Sequence, residues 1–342
     1  MTVLAWVVGS GGLLGSHVRR AVEARPGFTP WGPGGGTLPW EDPGALRSRF
    51  EVLARALVHE AVDRGHESWS VLWCAGAGVV GTAAAELAQE AQAWEDFLAC
   101  LAGALAALPS PGRPSGQVFL ASSAGGLYGE GGAGPATEES PPRPMSPYGR
   151  IKLRQETALR EWASREPRVS TLVARISNLY GPGQKMEKSQ GLVSHMSRCL
   201  IHRLPVHIYV PLDTIRDYLF AADAAGAIVR WVERLGREAR DTGEPRRVLK
   251  ICAAEEETTV AALIGVFRRI ARRQMRVVAG VHPSQGEQPA RLWLRSRRWT
   301  DEPRTARTSL LEGIAALHRH QLALYEAGRL AAPRPLAARG TA

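Results

Sequence analysis

Apolar residues in the first half of the chain fall into short runs separated by longer stretches with helical spacing. The runs at 3–8, 28–31, 70–74, 118–121 and 169–176 read as strands. The stretches at 13–24, 45–64, 83–108 and 147–165 read as helices. Strands alternating with helices are the signature of βαβ units, so the pattern predicts an α/β fold with a doubly wound parallel sheet. Ser146 followed by Pro147 marks a helix start, with a hydroxyl at the N-cap and proline at the first helical position. Gly/Pro-rich loops follow Trp31 and fill 109–116 and 125–144, the last long enough to carry function. Beyond residue 180 the pattern loosens. It predicts helices at 192–203, 221–235, 260–273 and 309–327, and strands at 206–209 and 248–252. The expected organisation is a sheet domain over 1–178 with a return segment near 211–235. A smaller C-terminal α/β domain over 179–328 then caps it, followed by a frayed tail at 329–342.

Composition narrows the class without naming a function. The chain has 342 residues, 44% hydrophobic and 22% charged, which fits a folded protein and argues against disorder. No apolar run approaches the roughly 20 residues of a membrane helix, so no membrane contact is expected. The first apolar run meets Gly9-Ser10-Gly11-Gly12 directly and no basic segment precedes it, so no secretory signal is read and a cytoplasmic location is expected. Cys74, Cys100, Cys199 and Cys252 lie far apart, with no CxxC pair and no histidine at zinc spacing. They read as isolated buried thiols, and no metal is expected. The formal charge of +10 comes from arginines scattered along the chain. No single stripe collects them, so nucleic acid is not expected and attraction of an anionic small substrate is the better use. With only four lysines in the chain, the position of each is informative.

Two short motifs carry chemistry. Gly9, Gly12 and Gly15 follow a strand and open an amphipathic helix. Residues without a Cβ let the turn tighten, let a pyrophosphate approach the helix N-terminus, and let helix and sheet pack closely. Three glycines at this spacing arise by chance about 0.4 times in such a chain, so the context carries the argument. Tyr148 and Lys152 stand at i and i+4, on one face of a helix. A chance Tyr-x-x-x-Lys is expected about 0.07 times. A cation beside a phenol favours the phenolate, which gives a positioned acid or base for a hydroxyl proton. Ser122-Ser123 ends a strand before the Gly-rich loop and offers a hydroxyl to a reacting oxygen. His195 and His207 lack an evident partner, and Trp69 and Trp73 read as core.

Together these motifs resemble the extended short-chain dehydrogenase/reductases, the NAD-dependent epimerase/dehydratase group that acts on nucleotide sugars. The chain shows GSGGLLG at 9–15, SSAGGLYG at 122–129, SPYGRIK at 146–152, RISNLYGPGQ at 175–184 and IRDYLFAADAA at 215–225, in the family's order. VLKICAAEEETTV and PRTARTSLLEGI add to it, so the resemblance covers about residues 2–328. It implies a Rossmann-type fold, a homodimer, and NAD or NADP bound by Gly9, Ser10, Gly12, Leu13, Leu14 and Gly15. Ala75 and Gly76, after the fourth strand, would line the cofactor. Tyr148 would be the catalytic acid/base, Lys152 would hold the nicotinamide ribose, and Ser123, or Ser122, would bond the substrate hydroxyl. Asn178 and Arg216 match positions that contact a nucleotide diphosphate, for which a guanidinium is well shaped.

The chain departs from the family in three places. Ala124 occupies the slot four before Tyr128 where Ser or Thr is usual, so which serine acts stays open. Ala124-Gly125-Gly126 lacks the acidic pair of a dehydratase. No carboxylate follows the second strand until Glu41, which leaves NAD against NADP open, with Arg19 and Arg20 as candidates for a 2′-phosphate. The expected activity is a nucleotide-sugar epimerase working by transient hydride transfer. The alternatives are a 4-keto-sugar reductase and a dinucleotide-binding sensor with little turnover.

Overall fold

The computed structural model describes residues 2–32, 37–108, 114–129, 134–184, 191–280, 289–302 and 307–333. Parts of four expected segments lie outside the described residues: the loop after Trp31 (33–36), the loops at 109–113 and 130–133, and 303–306 of the C-terminal family segment. Most of the expected tail (334–342) lies outside them too. In chain order the elements are β1 (Val3–Val8), α1 (Leu13–Glu23), β2 (Phe28–Trp31), α2 (Pro43–Asp63), β3 (Ser68–Trp73), α3 (Ala84–Ala106) and β4 (Ser115–Ser123). Next come α4 (Ala124–Leu127), α5 (Pro147–Ser164), β5 (Val169–Ile176), β6 (Asn178–Tyr180), α6 (Leu192–Ile201), β7 (Val206–Ile208), β8 (Ile215–Arg216) and β9 (Tyr218–Phe220). The chain finishes with α7 (Ala221–Thr242), β10 (Arg247–Cys252), β11 (Thr258–Thr259), α8 (Val260–Ala271), β12 (Val277–Ala279) and α9 (Leu310–Glu326).

Six strands form one sheet in the order β10-β5-β4-β3-β1-β2, parallel throughout. This is the doubly wound Rossmann-type sheet expected from the alternating pattern. Every residue of β1 and β3 is buried, as a parallel sheet covered on both faces requires. Two polar side chains buried in the sheet pair with each other: Ser70 Oγ donates to Gln117 Oε1 at 2.7 Å across β3 and β4. On one face α2, α3 and α5 cover an aromatic core in which Trp73 and Trp94 approach to 4.8 Å between ring centroids. On the other face α1 and α7 bury Val18, Val22, Ile228 and Val232. Trp69 and Trp73 are core residues, as read from the sequence.

The helix starts have local causes. Asp42 accepts from Ala45 N ahead of α2, and Ser146 Oγ accepts from Gly149 N ahead of α5, each with proline in the first turn. α7 runs seven residues past the expected end at 235 and stops at Gly243, whose φ of +71° suits a residue without a Cβ. The edge strand β10 pairs with β5, so the sheet takes its sixth strand from beyond the expected return segment. The second half adds α6, α8 and α9 around Met196, Val206, Leu263, Phe267 and Leu317. Three small pairs, β6 with β9, β8 with β11 and β7 with β12, stitch it together. Among the described residues no helix is long and apolar enough to cross a membrane.

Candidate active site

The strand order reverses between β1 and β3, and the crevice above that switch point is where open α/β sheets hold ligands. The glycine loop sits there. Gly9 has φ +83°, and a Cβ on it would lie 2.6 Å from Ala75 Cα, so β1 and β3 hand over to their loops in direct contact. A Cβ on Gly15 would lie 2.1 Å from Gly9 O. Gly12 N donates to Gly9 O at 3.0 Å, which closes the turn, and Gly12 caps α1 with no side-chain bond. The first-turn N–H groups of α1, at Leu13, Leu14 and Gly15, have no intrahelical acceptor by helix geometry. The loop therefore offers an anion both donors and close approach, which fits a pyrophosphate. Ser10 lies on the same turn and is half-buried.

Ala75 and Gly76 follow β3, the third strand in the chain and not the fourth. A Cβ on Gly76 would meet Glu90 Oε1 at 3.0 Å and Lys152 Nζ at 3.3 Å. Lys152 Nζ donates to Glu90 Oε1 at 2.8 Å and to Gln155 Oε1 at 3.0 Å. It lies 5.6 Å from the centroid of the Tyr148 ring. Burial alone would lower the Lys152 pKa, but Glu90 and Tyr148 hold it above the usual lysine value. Burial would likewise raise Glu90, yet Lys152 and the amides of Gly78 and Ala77 keep it below the usual carboxylate value. The Tyr148 ring packs on Gly126, where a Cβ would stand 3.1 Å from two ring carbons. Gly126 N is held in turn by Ser123 Oγ at 3.1 Å. One run of contacts thus joins Gly9, Ala75, Gly76, Lys152, Tyr148, Gly126 and Ser123.

The two serines have different surroundings. Ser122 is buried and donates to Glu156 Oε1 at 2.6 Å, and Glu156 is gripped by Arg175 at 2.8 Å. Arg175 also donates to Tyr128 Oη at 2.9 Å. Ser123 accepts a backbone N–H, is half-buried, and caps α4. It pairs with Ile176 across β4 and β5, so Asn178 lies two residues beyond that rung. Asn178 donates its side-chain amide to Asp217 O at 3.0 Å. The neighbouring Arg216 is buried, with Nη1 on Ile215 O at 2.8 Å, and burial lowers its pKa. Asp217 and Asp223 are engaged elsewhere: Asp217 holds the amides of Ala254 and Glu256, and Asp223 holds Thr308. Asn178, Arg216 and Asp217 form a second cluster beside the first.

Arg19 and Arg20, the candidates for a 2′-phosphate, are engaged on their own helix. Arg19 pairs with Glu23 at 3.0 Å, and Arg20 Nε donates to Ser16 O on its own helix. His195 Nε2 contacts Cys199 Sγ at 3.6 Å, and His207 stacks on Tyr209. Sequence reasoning missed Glu90 and Gln155. A signal for Glu90 existed: it lies three residues after Leu87 and four before Trp94, on the apolar stripe of α3. Among the described residues no group of three or more His, Cys, Asp or Glu side chains could hold a metal.

Similar proteins bear on this geometry. The model of the NAD dependent epimerase/dehydratase family matches residues 5–242. The dTDP-4-dehydro-6-deoxyglucose reductase of Escherichia coli is 30% identical over 122 residues, 36% of this chain and 38% of that protein. The dTDP-L-rhamnose 4-epimerase of Burkholderia thailandensis is 36% identical over 98 residues, 28% of this chain and 27% of that protein. The matches thus span about a third of these curated relatives. The UDP-glucose 4-epimerase of Thermus thermophilus, solved with NAD, superposes with a TM-score of 0.71 at 20% identity, covering 94% of this chain and 98% of that one.

Proposed function

Because the chain belongs to the NAD dependent epimerase/dehydratase family, we propose that it is an NAD(P)-dependent nucleotide-sugar epimerase. The observation that carries the reading is the unbroken run of contacts from the glycine loop to Tyr148 and Ser123. In this reading Gly9, Ser10, Gly12, Leu13, Leu14 and Gly15 hold the pyrophosphate of the dinucleotide. Ala75, Gly76, Tyr148 and Lys152 line its nicotinamide half. When bound, the nicotinamide supplies a hydride acceptor and donor at a sugar carbon. Tyr148 accepts the hydroxyl proton as the carbinol becomes a ketone, and returns it when the ketone is reduced from the other face. Ser123 donates to the reacting oxygen. Lys152 keeps a positive charge beside the phenol. Asn178 and Arg216 hold the diphosphate, so the keto sugar stays anchored while it turns. The Ala124-Gly125-Gly126 sequence after Ser123 carries no acid, which argues against dehydration.

A 4-keto-sugar reductase is the second reading, and the match to the reductase of Escherichia coli favours it. Stoichiometry separates the two. An epimerase interconverts UDP- or dTDP-sugars at constant cofactor, followed by proton NMR, whereas a reductase consumes one NAD(P)H per turnover. Mass spectrometry of nucleotides released from the purified protein identifies the dinucleotide and any bound nucleotide sugar. Full activity in Tyr148→Phe would remove Tyr148 from the reading. A homodimer through the face built by α3 and α5 belongs to the same proposal, and light scattering checks it. The free cysteines, Cys100, Cys199 and Cys252 among them buried, suit a reducing cytoplasm.

A further inference from the structure

We propose that Glu90 is a positioning residue that sets the charge felt by Tyr148: it offsets the Lys152 ammonium and fastens it to the turn that walls the cofactor crevice. The inference rests on the reading of Tyr148 and Lys152 as the acid/base pair. Glu90 Oε1 accepts from Lys152 Nζ at 2.8 Å, while Oε2 accepts from Ala77 N at 3.0 Å and Gly78 N at 2.8 Å. One carboxylate therefore binds the turn after β3 with one oxygen and the lysine of α5 with the other. The side chains of Lys152 and Glu90 are 7% and 13% exposed, so water screens the pair weakly.

Among the described residues, the charged and titratable groups that act on Lys152 stand on two helices. Glu90 faces it from α3, Tyr148 stands one turn earlier on α5, and Glu156 stands one turn later. Glu156 is already held by Arg175 and Ser122. At the end of β4, Ser122 and Ser123 carry no charge. Glu90 is thus the direct counter-charge to the ammonium. Without it, and over the pH range in which Lys152 keeps its proton, the ammonium would stand uncompensated 5.6 Å from the centroid of the Tyr148 ring and favour the phenolate. An acid/base that must both take and return a proton works best when neither form is strongly preferred. A counter-charge on the lysine moves the balance toward that condition.

Two isosteric substitutions test the idea with opposite signs. Glu90→Gln removes the negative charge beside Lys152. Gln155→Glu adds one at the neighbouring acceptor, 3.0 Å from Nζ. The readout is the phenolate absorbance of Tyr148 in the purified protein, isolated by subtracting the same titration in a Tyr148→Phe background. The expected result is a transition about one pH unit lower in Glu90→Gln, a tenfold change in the ionisation constant. In Gln155→Glu it should move upward. A transition that stays in place in either folded variant, or moves the same way in both, overturns the proposal. If Glu90→Gln fails to fold, the Gln155→Glu arm decides alone. The titration needs no substrate. A fully active Tyr148→Phe enzyme would therefore refute the acid/base reading, while the effect of Glu90 on the phenol would remain measurable.

Discussion

Ser122 Oγ donates to Glu156 Oε1 at 2.6 Å, and the second oxygen of that carboxylate is held by Arg175. The adjacent Ser123 accepts from the backbone of α4 and keeps its own proton to donate. Ser122→Ala is expected to lower stability by about 2 kcal/mol, the worth of a buried hydrogen bond to a charged group, with kcat nearly unchanged. Ser123→Ala is expected to cost about 1 kcal/mol of stability, through loss of the α4 cap, and to lower kcat about 100-fold. Urea unfolding and steady-state kinetics on both variants check the assignment. The reverse pattern would make Ser122 the active hydroxyl.

Tyr148→Phe removes the proton carrier and leaves the ring that packs on Gly126. Turnover is expected to fall by about 100- to 10,000-fold with cofactor affinity little changed. Lys152→Met is expected to weaken both, because the same ammonium serves the ribose and the phenol in the proposed reading. Stopped-flow kinetics and fluorescence titration of NADH separate the two effects.

Gly15→Ala places a methyl 2.1 Å from Gly9 O, so the loop must open or α1 must shift. Overpacking of this kind costs about 1–3 kcal/mol, and if that cost falls on the bound form dinucleotide affinity weakens about 5- to 160-fold. Calorimetric titration with NAD and NADP measures it. Unchanged affinity for both would separate the glycine turn from dinucleotide binding.

The ion pair between Glu90 and Lys152 also predicts a pH dependence of stability. The Glu90 pKa lies below its ordinary 4.5 in the folded chain, so the unfolded chain binds more protons in that range. Its contribution is therefore complete above pH 4.5 and is lost as the pH falls through the folded value. Glu90→Gln is expected to be less stable than the parent by about 3 kcal/mol at pH 7, the cost of breaking a buried pair. The gap should narrow steadily below pH 4.5, as measured by urea unfolding at several pH values. A gap independent of pH would mean that shape and not charge is lost.

The first half of the sheet is legible in the sequence because its strands are continuous apolar runs: β1, β2 and β5 match the expected bounds. β4 starts three residues before the expected 118, because buried Gln117 is polar and the cross-strand bond to Ser70 that permits it cannot be seen in sequence. α4 was hidden in a glycine-rich stretch, where helix propensity is poor and the Ser123 cap supplies the start. β6, β8, β9, β11 and β12 are two or three residues long, too short for any period to register. In the site, Tyr148 and Lys152 were visible because four residues on a helix fix their relation. Glu90 was not, since 62 residues separate it from Lys152 and only the folded sheet joins α3 to α5. Asn178 and Arg216 were legible only through family resemblance, because their meeting at Asp217 depends on the pairing of β6 with β9.

The position of β10 at the edge of the sheet bears on how the chain reaches its fold. Its partner β5 ends at Ile176 and β10 begins at Arg247, so β6 to β9 and the helices α6 and α7 come between them. Glu138, between α4 and α5, holds Ile251 N of β10 at 2.9 Å, and Arg247 Nη2 reaches back to Ala163 O near the end of α5 at 2.6 Å. During synthesis β5 is an open edge until about 75 more residues have been made, and pairings so far apart in sequence are slow to form. A fragment ending near residue 178 would carry the glycine loop, Ser123, Tyr148 and Lys152, yet expose the flank of β5 to other chains. The order of assembly makes the dinucleotide half depend on the segment that follows it.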